Sequence, residues 1–306
     1  MLTIFSTPKP FRGHIGTIQR NAIQSWKRLH PDVEVILFGD DEGATEAARE
    51  FGLRHVPDVP RNEFGTKLLR GFFELAQRMA RNDRLCYVNC DIILTNSLLT
   101  AVDLTASNFQ KFLVVGRRLD ADIVEPWNFA DPEWEERLAA FARKSGCLAA
   151  PWFIDYFAFH RGLYQGIPPF VIGRIHWDHW LIWKARSSGA AVIDASHSVL
   201  AVHQNHDYSY HPKGVAGVWG DEQSARNYEL SGGRLRHCTI LSSTHKLTKD
   251  GLRRNWRGPF AVYWGTARLF VTSTWIRVLD FTLPIRSRLG LKRKPKPDTT
   301  MTPKRV

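Results

Sequence analysis

A chain of 306 residues with 43% hydrophobic and 24% charged side chains has ordinary globular composition, which excludes a wholly disordered protein and leaves room for one sizeable α/β domain plus an appendage. The net charge of +12 is uneven: residues 234–306 hold 17 Lys/Arg against 3 Asp/Glu, whereas residues 1–233 hold 25 against 27. The high isoelectric point therefore belongs to the C-terminal region, and an anionic surface partner is expected for that region alone.

The chain opens on Met1-Leu2-Thr3-Ile4-Phe5, which reads as a core strand and has neither the charged start nor the long apolar run of a secretory leader. The four cysteines, Cys86, Cys90, Cys147 and Cys238, follow no Cys-x-x-Cys spacing, so reduced thiols and a cytoplasmic location are expected. After Ser6, the segment Thr7-Pro8-Lys9-Pro10 turns the chain. A helix is predicted over roughly 16–29, with Ile18, Ala22, Ile23 and Trp26 on one face and Arg20, Gln24, Lys27 and Arg28 outside. Val33 to Phe38 reads as a β-branched strand closing at Gly39-Asp40-Asp41. A short helix over 44–51, a short strand over 54–56 and a strongly amphipathic helix over 66–81 follow, and then Leu85-Cys86-Tyr87-Val88 leads into Asn89-Cys90-Asp91-Ile92-Ile93-Leu94.

Strands joined by helices of this length imply a mostly parallel sheet flanked by helices, with ligands at the carboxyl ends of the strands. Thr7, Lys9, Asp40 and Asp91 fall where those ends should be. Further along, a strand is predicted over 112–116, then a polar, aromatic-rich stretch to about 151, a strand-like run over 153–159, a helix over 178–187, a strand over 191–194 and a short strand over 198–202 ending at His203. Residues 234–290 read as a helical, basic and amphipathic appendage, and 291–306 as a disordered basic tail. Within the appendage Arg268, Arg277 and Asp280 interrupt every run of about 18 apolar residues, so a transmembrane span is not expected. Aromatic residues alternating with arginine, followed by Arg286, Arg288, Lys292, Arg293, Lys294 and Lys296, suit an anionic membrane surface. Nucleic acid is the weaker alternative partner, because no module signature accompanies the charge.

Asn89-Cys90-Asp91 offers a carbonyl oxygen and a carboxylate two residues apart, and on an extended chain both point the same way. Such oxygens can hold a hard divalent cation, although an aspartate ending a strand can equally be a turn residue. The order of Ser6-Thr7-Pro8, Phe38-Gly39-Asp40-Asp41, Glu63-Phe64-Gly65-Thr66-Lys67 and Tyr87-Val88-Asn89-Cys90-Asp91-Ile92 resembles the nucleotide-binding half of the GT-A glycosyltransferases. The resemblance implies a Rossmann-like GT-A domain over 1–233, with a nucleotide-binding half at 1–100 and an acceptor half at 101–233. It also implies a nucleotide diphosphate sugar donor, a glycan or lipid-linked glycan acceptor, and a divalent metal, Mn2+ or Mg2+. Asn89 replaces the first acid of the family's Asp-x-Asp motif, so only Asp91 matches the metal ligand directly, and a metal-independent enzyme stays open. By the same resemblance Thr7, Lys9, Asp40, Thr66 and Asn89 would line the nucleotide-sugar subsite.

The segment Gly173-Arg174-Ile175-His176-Trp177-Asp178 resembles the acceptor side of the same enzymes, which would make Asp178 the general base of an inverting displacement; the alternative is a helix cap. Asp155, set in an apolar run, is either an acceptor-side carboxylate or a hydrogen-bond hub. His203 best fits the additional metal ligand that GT-A enzymes draw from their C-terminal part, with His206 as its substitute. A separate zinc site and an ordinary His-rich loop are the other readings of this segment. Trp152 and Trp177 are candidates for stacking on an acceptor sugar. A sugar-phosphate nucleotidyltransferase would use a related sheet but needs a Gly-rich basic loop that Ser6-Thr7-Pro8-Lys9-Pro10 lacks, and a non-enzymatic adaptor would not explain the polar strand ends.

Overall fold

The computed structural model describes residues 1–207 and 214–258. The chain divides into two compact units, Met1–Val262 and Tyr263–Val306. The second lies outside the described residues, and so do the membrane-surface segment beyond Gly258 and the tail at 291–306.

Strands β1 (Leu2–Ser6), β2 (Glu34–Phe38), β3 (Arg54–Val56) and β4 (Arg84–Val88) are linked by helices α1 (Gly13–Arg28), α2 (Ala44–Glu50) and α3 (Leu69–Met79). They pair in parallel, in the order β4-β1-β2-β3. After β5 (Ile92–Leu94) come α4 (Ser97–Asn108), β6 (Phe112–Val115), β7 (Leu119–Ala121), α5 (Trp134–Ser145), β8 (Cys147–Leu148) and β9 (Tyr156–His160). Next are α6 (Trp177–Ser187), β10 (Ala191–Asp194), β11 (Ala201–Gln204), α7 (Gly214–Gly220), α8 (Glu222–Ser231), two 3-10 turns, β12 (His245–Thr248) and β13 (Gly251–Arg254). Among the described residues these strands form a nine-stranded sheet, β13-β12-β10-β6-β9-β4-β1-β2-β3, and a four-stranded one, β5-β11-β7-β8.

Alternation of side chains across the large sheet makes two cores. Phe5, Ile36, Phe38, Tyr87, Phe157 and Phe159 face α3 and α6, whereas Ile4, Val35, Leu37, Cys86, Tyr156 and Ala158 face α1 and α4. Runs buried on both faces are the pattern expected of parallel strands covered by helices. Strand β9 runs against both neighbours, and its register sets Tyr156 opposite Val88. Its first residues therefore lie at the edge where the parallel strands end.

Beyond the expected boundary at 233, the described residues hold two 3-10 turns and a hairpin. The first unit continues to Val262, and residues 245–254 form a hairpin, β12–β13, whose first strand pairs in parallel with β10. Leu247 is buried while Lys246, Arg253 and Arg254 are exposed, so this basic stretch is an edge hairpin with one covered face. Its charge count masks the alternation. No helix among the described residues is long and apolar enough to cross a membrane.

Candidate active site

A cleft of about 500 Å3 opens at the carboxyl edge of the large sheet. Thr7, Lys9, Thr66, Asn89, Asp91, Asp155, Trp177, Asp178 and His203, nine residues singled out from the sequence, line it together.

Helix α1 holds this edge in place through polar residues on its buried face. Gln19, 2% exposed, accepts from the Lys9 amide at 2.7 Å and donates to the Lys9 carbonyl at 2.9 Å, which fixes the loop after β1. Asn21 donates to Gln204 Oε1 at 2.9 Å, and the Trp26 indole donates to the Ile92 carbonyl at 3.0 Å. Each of these buried polar groups has a partner, as burial demands. Together they clamp the small sheet onto the large one.

Asp91 directly precedes β5. Its carbonyl accepts from both the backbone and the side-chain nitrogen of Gln204 at 3.2 Å, so β11 sits alongside it. That pairing brings His203 and His206 to Asp91: ligand atoms of the three lie within 4.8 Å of one another. Asp91 Oδ2 is 3.1 Å from His206 Nε2 and 3.5 Å from Lys9 Nζ, while Oδ1 is buried with no hydrogen-bond partner. Burial by itself would raise the Asp91 pKa, but Lys9, His206 and His203 outweigh it and hold the carboxyl well below the usual range. An ionised, buried carboxylate with an unused oxygen beside two imidazoles is a donor set that fits a divalent first-row ion. Cys90 is not part of it: burial, with Asp91's charge adding, pushes its thiol well up and keeps it protonated.

Asn89 continues the β4–β9 pairing, its amide donating to the Asp155 carbonyl at 2.9 Å. Its side chain accepts from the Tyr87 hydroxyl at 2.9 Å and donates to Asp155 Oδ1 at 2.7 Å. Asp155 Oδ2 takes Arg118 Nη1 at 2.5 Å. Both Asp155 oxygens are thus engaged, each in one hydrogen bond. Arg118, 12% exposed at its side chain, also donates through Nε to Asp120 Oδ1 at 2.8 Å.

Asp178 lies in the first turn of α6, whose N-cap is His176, a non-glycine residue at φ 86°. A left-handed backbone at that position costs about 1–3 kcal/mol and needs its surroundings to hold it. Asp178 does not cap the helix: its Oδ1 is buried without a hydrogen-bond partner, and Oδ2 stands 3.7 Å from His179 Nε2.

Three further candidates are placed differently from the others. Asp40 turns away from the cleft: its side chain is 64% exposed and pairs with Arg61. The neighbouring Asp41 lines the cleft instead, bonded to Lys67, whose ammonium also donates to the Pro8 carbonyl at 3.0 Å. Gly39 makes this possible, since at φ 111° a Cβ would meet Asp41 Oδ2 at 2.9 Å and the Lys67 chain at 3.1 Å. Burial lowers the Lys67 pKa despite Asp41. Trp152 is 53% exposed outside the cleft lining, and Trp177, 5% exposed, lines the cleft while packing its ring edge-on to Tyr87 at 5.6 Å.

Sequence reasoning missed Lys67, Asp41, Arg118, Asp120 and Arg174 in or beside the cleft. It also missed α8, where Asp221 caps the helix and accepts Arg174 Nε at 2.6 Å. Asn227 on the same helix donates to the carbonyls of Val171 and Ile175 and accepts from the Val171 amide, which fixes the loop that leads into Asp178.

No known family profile matches the sequence, and no curated protein matches it. Among solved structures the chain is similar to glucosyl-3-phosphoglycerate synthase from Mycobacterium tuberculosis with Mg2+ and UDP: TM-score 0.45, 16% identity, covering 76% of this chain and 80% of that one. The same enzyme with Mn2+, UDP-glucose and phosphoglyceric acid gives TM-score 0.44 and 15% identity over 76% and 80%. A mannosyltransferase from Pyrobaculum calidifontis with GDP-Man and Mn2+ gives TM-score 0.41 and 15% identity over 66% and 56%.

Proposed function

We propose that this protein transfers a sugar from a nucleotide diphosphate sugar to a glycan or lipid-linked glycan acceptor. The observation that carries the reading is the placing of two unpartnered carboxylate oxygens, Asp91 Oδ1 beside two histidines and Asp178 Oδ1 on the facing helix, in one cleft at the carboxyl edge of the sheet. Asp91, His203 and His206 would hold a divalent ion, which when bound supplies countercharge for the departing diphosphate. Thr7, Lys9, Thr66 and Asn89 would bind the nucleotide sugar, with Lys67 and Asp41 shaping the wall beside them. Asp178 would accept the proton of the acceptor hydroxyl as that oxygen bonds to the anomeric carbon. The bond from that carbon to the diphosphate breaks, and the nucleoside diphosphate leaves with the electron pair. Attack from the face opposite the leaving group makes this an inverting displacement. The basic C-terminal sequence supports a lipid-linked acceptor at an anionic membrane surface.

One observation favours a metal-independent variant of the same reaction: the Lys9 ammonium already stands within 3.5 Å of both Asp91 and His206 and could itself face a diphosphate. Calorimetric titration with UDP and GDP, with and without Mn2+, separates the two. Nucleotide binding that requires Mn2+ is expected, binding unaffected by chelator assigns the countercharge to Lys9, and no binding of either nucleotide sinks both. In a nucleotide-sugar panel, Asp178→Asn is expected to lower turnover by about 10²–10⁴-fold while nucleotide affinity is kept; near-normal turnover removes Asp178 as the base.

A further inference from the structure

Strand β7 pairs in parallel with β11, and its register sets Asp120 opposite His203. Asp120 Oδ1 lies 3.1 Å from His203 Nδ1, a charge-pair contact outside hydrogen-bond alignment that leaves the buried Nδ1 with no other partner, and the Asp120 carboxylate is not among the atoms that cluster around Asp91. The same Oδ1 receives Arg118 Nε at 2.8 Å, and Arg118 reaches on to Asp155, which holds Asn89. A chain of polar contacts, half-buried at Asp120 and Arg118 and buried at Asp155, therefore runs from His203 through these three residues to Asn89 at the start of the Asn89-Cys90-Asp91 segment.

We infer that Asp120 is the positioning carboxylate of His203, and that Arg118 fixes Asp120 by tying it to Asp155. A carboxylate on Nδ1 selects the ring tautomer whose proton sits on that nitrogen, leaving Nε2 with the lone pair that a cation needs, and it restricts rotation of the imidazole. Arginine suits the linking place because its planar fork serves two carboxylates at once, which a lysine cannot do with the same geometry. At His206 the other nitrogen, Nδ1, lies 2.6 Å from the Asp207 carbonyl. A change at Asp120 therefore acts directly on His203.

The inference rests on the metal-binding part of the proposed function, and the test reads metal directly. Free Mn2+ is measured by electron paramagnetic resonance in titrations of the native full chain, Asp120→Ala and Asp120→Asn, each checked for folding by circular dichroism and thermal midpoint. Asp120→Ala is expected to weaken Mn2+ binding by about 10–100-fold, the usual cost of losing such an outer carboxylate. Asp120→Asn keeps an oxygen that can accept from both Nδ1–H and Arg118, and is expected to restore most of the loss. A folded Asp120→Ala protein with native Mn2+ affinity overturns the inference. Equal loss in both variants with a parallel fall in thermal midpoint also overturns it, by reducing Asp120 to packing. A native chain that binds no Mn2+ overturns it while leaving Lys9-assisted transfer standing, whereas Mn2+ binding without sugar transfer removes the transferase reading alone.

Discussion

Against the large sheet, Phe5, Phe73, Tyr87, Phe159 and Tyr164 interlock at centroid distances from 4.7 to 6.2 Å. The small sheet is made of strands two to four residues long, and charged or titratable groups sit on or beside three of them: Asp91 before β5, Asp120 in β7, His203 in β11. Its own apolar cluster is small, Ile93, Ala121, Ile123 and Val202 against Phe129, Trp134, Leu138 and Ala142. One sheet thus carries most of the apolar burial, and the other presents the candidate ligands while leaning on α1 for support. The difference teaches that a cluster of buried charges can be tolerated where a larger scaffold supplies the stability that the cluster lacks.

The largest expected effect tests the scaffold. Phe73→Ala, which empties the centre of the aromatic cluster, should cost about 3–5 kcal/mol in denaturant unfolding while the folded fraction keeps its nucleotide and Mn2+ affinity. The converse comes next: Asp91→Ala should weaken Mn2+ binding by ~100-fold or more, with a stability change smaller than that of Phe73→Ala, since a costly buried charge is removed together with its contacts. If Asp91→Ala unfolds the protein as readily as Phe73→Ala does, the division of labour between the sheets fails. Asn227→Ala removes three hydrogen bonds from the loop before α6 and should cost about 1–3 kcal/mol, with a larger effect on turnover than on nucleotide binding. Smallest is Arg61→Ala, which breaks the exposed pair with Asp40 and should change stability by about 0–1 kcal/mol, measured by thermal unfolding.

What was legible in the sequence follows the same division. Helix α1 and strands β1, β2 and β4 show their periodicity directly, because burial in the large sheet is dictated by neighbours at two and at three to four residues. The candidate ligand Asp91 and the candidate base Asp178 could be picked out from their places at element ends. Helix α5 went unread although Trp134, Leu138 and Ala142 recur at helical spacing, because its charged residues and the aromatic loop before it hid the stripe. The choice between Asp40 and Asp41 turns on the backbone at Gly39, which no side-chain pattern reports. Arg118 reaches a partner 37 residues away, and the pairing of β7 with β11 is what sets Asp120 against His203.

The reversed strand β9 also sets an order of assembly. Made from the N terminus, the chain completes β1, β2 and β4 early, but β4 then presents a bare edge, Arg84–Val88, until residues 156–160 emerge to cover it. Pairings of such long sequence separation are slow to form, and an uncovered apolar strand is what chaperones bind and neighbouring nascent chains aggregate on. The nucleotide-side loop after β1 can form well before the histidines of β11 and the loop after it have been translated. A ribosome stalled between the two would hold a chain with half a cleft, its carboxylate in place and its imidazoles not yet made.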